Sequence, residues 1–130
     1  MLNLNAQISN NEFFVIGNNI GLQKMNFVKV KSIFRGEEAL WSNKEGVTVV
    51  LPSSKSDFSV AVAKKIFNSS PMGMKRYWIG LVFQGRANPP RFLESNEDII
   101  AFVKKNSGSI GILNCKKDQI PPSLIIELME

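Results

Sequence analysis

Pro52-Ser53-Ser54-Lys55-Ser56-Asp57 lies between a β-branched run and an amphipathic one, and it offers three hydroxyls and an ammonium. The first N–H groups of a helix lack intrahelical acceptors and carry a partial positive charge. A strand–loop–helix junction with small hydroxylated residues is therefore suited to a small oxyanion. Ser53, Ser54, Lys55, Ser56 and Asp57 are accordingly the candidate ligand-binding residues. Asn18 and Asn19 join them because they follow the carboxyl end of the first expected strand, where open α/β sheets bind ligands. Each choice has a plainer reading. Asparagine tolerates left-handed turns, and an aspartate in a first helical turn stabilises the helix by about 0.3–1 kcal/mol.

Catalysis has little to work with. The 130 residues contain no histidine and one cysteine, Cys115. That removes Ser-His and Cys-His nucleophiles and His-ligated zinc, and it leaves no internal disulfide or thiolate cluster. Asp57, Asp98 and Asp118 show no metal-ligand spacing, so neither a metal nor another cofactor is expected. A Ser–Lys arrangement around Lys55 is suggested only by adjacency.

The net charge is +5, and its placement says more than its sum. From Lys55 to Arg91 there are seven basic residues against the single acid Asp57, so the positive balance belongs to one segment and invites an anionic partner. A solvated helix face gives the same count. Nucleic acid is not expected, because single-strand binders interleave aromatic and basic residues on strands. Tyr77 and Trp78 instead follow a helical spacing. Membrane insertion is not expected either, since runs such as 13–16 and 47–51 are far shorter than the roughly 18 residues of a span.

The elements that would position these residues follow from periodicity. Residues 1–11 read as a flexible leader with neither a positive n-region nor an apolar h-region, and 12–130 as one domain. Strands are expected over 12–17, 47–51, 91–93, 109–113 and 124–128. Helices are expected from Phe27, capped by Asn26 and stopped by Gly36; over 57–67; from Pro71 to Gly85; and from Ser95 to Asn106. Strands alternating with helices make the fold α/β, a mainly parallel sheet flanked by helices.

The chain also resembles a known family. Ile33-Phe34-Arg35-Gly36, Trp41-Ser42-Asn43, the serine-bearing loop, Tyr77-Trp78, Val82-Phe83-Gln84-Gly85-Arg86 with Pro89-Pro90, and Ser109-Ile110-Gly111-Ile112 occur in order. Together they resemble the periplasmic phosphate-binding proteins, the substrate-binding components of ABC-type phosphate importers, and most of all their short single-lobe relatives. The resemblance covers roughly 13–115. It implies a single-lobe, type II periplasmic-binding-protein-like domain, a periplasmic or secreted location, and phosphate or a similar oxyanion at the loop opening the second helix. It further implies a membrane permease or second subunit as partner. Where that family carries an arginine followed by Ser-Gly-Thr, this chain has Ser56-Asp57-Phe58 and no arginine in the preceding strand. With 130 residues only one lobe fits, so a ligand would stay open to water unless a second chain supplied a wall.

Two functions follow. The first is an exported solute-binding-type module that takes a small oxyanion at the strand–loop–helix junction. The second is a protein-interaction or scaffolding domain that kept the fold and lost the ligand.

Overall fold

The computed structural model describes residues 13–129, so the leader expected over 1–11 lies outside the described residues. The elements run β1 (Phe14–Gly17), β2 (Lys24–Asn26), α1 (Phe27–Phe34), β3 (Thr48–Pro52), α2 (Asp57–Phe67), α3 (Pro71–Phe83), β4 (Arg91–Leu93), α4 (Asn96–Lys105), β5 (Ser109–Leu113) and β6 (Ile125–Met129). Short 3-10 turns at Lys117–Gln119 and Pro122–Leu124 connect β5 to β6. Strand β2 lies where no strand is expected from the sequence, between the strand over 12–17 and the helix capped by Asn26. Its three residues Lys-Met-Asn alternate exposed, buried, exposed, a run too short to mark a strand, and only Met25 is buried.

One sheet carries the order β2-β6-β1-β5-β3-β4. The pairs β2·β6, β3·β4 and β3·β5 are parallel, whereas β1 is antiparallel to both β5 and β6. Five strands therefore point one way and β1 alone opposes them, so the sheet is mainly parallel, as the alternation of elements implies. Both faces are covered, which explains why its central strands read as unbroken apolar runs. Val15, Val49, Leu51, Ile110 and Ile112 face the core shared with α1, α2 and α3. Ile16, Val50 and Leu113 face the smaller core under α4, with Ile99 and Val103.

Each helix starts on a side-chain cap. Asn26 Oδ1 accepts from Lys29 N at 2.8 Å, Ser56 Oγ from Phe58 N at 3.1 Å, Ser70 Oγ from Gly73 N at 3.0 Å, and Ser95 Oγ from Asp98 N at 3.0 Å. Such caps are each worth roughly 0.5–2 kcal/mol. Helix α2 buries Phe58, Val62, Ala63, Ile66 and Phe67, and stops at Asn68 in the left-handed region, φ 50°. Helix α3 buries Met74, Trp78 and Leu81. Tyr77 is half-buried, and its hydroxyl donates to the carbonyl of Arg35 at 2.8 Å. Among the described residues, no helix is long and apolar enough to cross a membrane.

Candidate functional site

Strands β3, β4 and β5 are parallel neighbours, so their carboxyl ends share one edge of the domain. Two helices begin there, α2 after β3 and α4 after β4. Between their first turns lies a cleft of about 280 Å³, lined among others by Ser56, Asp57, Glu94, Ser95, Glu97 and Asn114. Strand-end placement and paired helix N-termini are the features an anion site requires.

The loop, however, uses most of its own amides. Ser53 N donates to Leu93 O at 2.8 Å, which ties the loop to β4. Ser56 N donates to Ser53 O at 3.0 Å, and Lys55 N to Ser53 Oγ at 3.4 Å. Phe58 N is taken by the Ser56 cap and Ser59 N by Ser56 O, at 3.1 and 3.0 Å. Only Ser54 N and Asp57 N in this stretch lack a partner within the described residues. Short hydroxylated side chains turn back onto neighbouring backbone in just this way. The serines that made the loop look like an anion cradle are what fills it.

Charge acts in the same direction. Asp57, Glu94 and Glu97 line the cleft, and no lysine or arginine does. Lys55 stands outside the lining, with its Nζ 3.8 Å from Glu94 Oε2. Its side chain is 82% exposed and that of Glu94 66%, so the pair is largely screened and worth little. A dianion entering this cleft would meet three carboxylates at close quarters. Among the described residues no group of three or more acidic or thiol ligands is placed to hold a metal ion.

The candidate residues do not form one site. Ser56 and Asp57 line the cleft, while Ser53, Ser54 and Lys55 lie in the loop beside it. Asn18 and Asn19 sit at the opposite edge of the sheet, because β1 runs against its neighbours and its carboxyl end meets the start of β5, with Gly17 opposite Ile110. There they hold structure. Asn18 Nδ2 donates to Val103 O at 2.8 Å and to Lys104 O at 3.1 Å, closing the last turn of α4. Asn19, at φ 54°, donates to Ser107 Oγ at 2.8 Å. The rule about carboxyl ends misplaced this pair because nothing in the sequence marks β1 as reversed.

Glu94, Ser95, Glu97 and Asn114 line the cleft but were not candidates. Ser95 to Asp98 resemble a helix cap, and the cap is present. The missed signal was that Leu93-Glu94-Ser95 is a second strand–loop–helix junction. Neighbouring parallel strands place two such junctions side by side.

A scan of protein-family models finds no match for this chain, and a search of the curated proteins finds none either. The fold does have solved counterparts. The chain is similar to PstS from Borrelia burgdorferi, with a TM-score of 0.63 and 16% identity, covering 90% of this chain and 47% of that one. It is also similar to an ABC-type phosphate transport receptor from Vibrio cholerae, with a TM-score of 0.54 and 14% identity, covering 90% and 46%. The chain thus spans about half the length of these receptors and has the α/β fold of a single lobe. The resemblance read from the sequence and the likeness to these structures agree on the fold.

Proposed function

We propose that this chain is a protein-interaction domain built on the lobe of a solute-binding receptor, and that it binds through its surface rather than by enclosing a small anion. The carboxylate wall of the cleft carries this reading. Asp57, Glu94 and Glu97 line it with no cation among the described lining residues, Lys55 pairing with Glu94 from outside, and like charges placed opposite one another cost several kcal/mol by order of magnitude. The self-satisfied loop amides and the open single lobe support it. Resemblance to an exported family supports a place outside the cytoplasm.

The second reading is an oxyanion-binding module, possible partners being phosphate or sulfate and a permease or second subunit. Ser54 N and Asp57 N, without acceptors beside a helix start, favour it, as does the likeness to phosphate receptors. Calorimetric titration of the chain with phosphate and with sulfate at low ionic strength separates the two. The interaction reading predicts no saturable heat. Saturable heat that falls in Ser56→Ala would establish the oxyanion reading instead.

A further inference from the structure

The outer face of α3 leaves apolar side chains in solvent. Met72, Ile79 and Phe83 are 62%, 62% and 92% exposed, and their spacing puts them within roughly 40° of arc at 3.6 residues per turn. A helix in a small domain normally turns such a stripe inward. Helix α3 already buries a different stripe, Met74, Trp78 and Leu81, so this one is surplus to the core. Beside it runs a groove of about 340 Å³ between α3 and the Pro89-Pro90 segment, lined by Trp78, Ile79, Phe83, Pro90 and Phe92, with Lys75 at its edge. Trp78 is 2% exposed, and its indole Nε1 has no acceptor among the described residues. A buried donor left without a partner is uncommon and costly.

The charge around this face has one sign. Lys75 lines it and Arg76 and Arg86 lie next to it in the chain, and the sequence holds no acidic residue between Phe58 and Leu93. None of the three is in an ion pair among the described residues. Lys75 Nζ lies 5.9 Å from the Phe92 ring centroid, whereas the Arg91 guanidinium packs on Phe102 of α4, on the other face of the sheet. The Phe92 ring holds the Lys75 cation at the surface without neutralising it.

Resting on the interaction reading above, we propose that this groove receives an acidic amphipathic helical segment of a partner protein, whose apolar side chains fill the space along Ile79, Phe83 and Phe92 while its carboxylates meet Lys75, Arg76 and Arg86. Charge complementarity selects this occupant. A second copy would set the same three cations against themselves. An anionic bilayer would satisfy the charges and leave a concave groove unfilled, whereas a helix laid into a groove fills it with side chains at i, i+4 and i+7.

The test uses the intact chain and a fluorescein-labelled synthetic helical peptide, with leucines at that spacing and glutamates on its flanks. Its counterpart has lysines for the glutamates. The acidic peptide should bind saturably and the lysine peptide should not. Phe83→Asp and Arg86→Glu alter exposed positions, and their circular dichroism should match the parent. Each should weaken binding at least about tenfold, the size of loss expected at a hot spot. Equal binding of the two peptides, or no loss in either variant, overturns the proposal. So does binding to phosphatidylglycerol vesicles without peptide binding, or a dimer of the chain that Phe83→Asp dissolves. If the acidic peptide fails and phosphate also gives no heat, the groove assignment falls while the interaction reading stands. Saturable phosphate binding would strike that reading itself.

Discussion

The indole Nε1 of Trp41 donates to the carbonyl oxygen of Gly108 at 2.8 Å, joining residues 67 apart in the chain. Trp41 is buried, so the loop after α1 is fastened to the start of β5 at the edge of the sheet opposite the cleft. Asn18 holds Gly108 from the other side by accepting from its N–H at 2.7 Å. Replacing Trp41 with Phe keeps most of the apolar contact and removes one of two hydrogen bonds to the Gly108 carbonyl, which still accepts from Thr48 N at 3.1 Å. Urea unfolding should show a loss of about 0.5–1.5 kcal/mol, the net worth of one hydrogen bond. Gly108 has φ +86°, and a Cβ there would collide with the carbonyl oxygen of Gly46. Gly108→Ala should therefore cost more, at least about 2 kcal/mol.

Gly111 lets α4 lie close to the sheet. A Cβ at this position would come within 2.8 Å of Ile99 Cγ2 and 3.4 Å of Val103 Cγ2. Gly111→Val should destabilise by about 1–3 kcal/mol through overpacking. Hydrogen exchange should report faster opening of α4 than of α2, because the strain falls on the smaller core.

Burial raises the Cys115 thiol above its ordinary value, 9.0, and the nearby charges of Glu97 and Asp118 add to the effect. The folded chain therefore keeps this proton to higher pH than the unfolded chain does. The associated stability is complete below the unfolded value and declines as pH rises through about 9 and beyond. Thermal unfolding of Cys115→Ala should show a shallower alkaline decline than the parent. Iodoacetamide should label the parent more slowly at neutral pH than an unstructured thiol.

If the carboxylates of the cleft exclude dianions, removing them should admit one. Asp57→Asn with Glu97→Gln should raise sulfate affinity at least about tenfold over the parent, followed by calorimetry at low ionic strength. No gain would mean that the filled amides, rather than charge, decide the outcome.

Much of the architecture was readable in residue order. The bounds 57–67, 91–93 and 109–113 match the structure because strong periodicity meets clear stops at Asn68, Pro90 and Gly108. Strand β2 was hidden because an edge strand with one buried residue carries too short a pattern, and the direction of β1 because register and orientation are properties of pairs. The loop at Ser53–Asp57 was found, but its occupancy was not. Residue types show that serine can donate and accept; only geometry shows that Ser56 Oγ is committed to Phe58 N and Ser53 N to Leu93 O. The exposed stripe of α3 was likewise masked, since Met72, Ile79 and Phe83 interleave with the core stripe Met74, Trp78 and Leu81.

The most direct measurement is an amide-resolved NMR titration of the chain with inorganic phosphate at low ionic strength, following Ser54 and Asp57. Their resonances should stay in place as phosphate is added, with any shifts confined to exposed basic residues and linear in concentration. Joint, saturable movement of Ser54 and Asp57 would mean that the cleft seats an oxyanion after all, and would contradict the assignment of binding to the surface of the lobe.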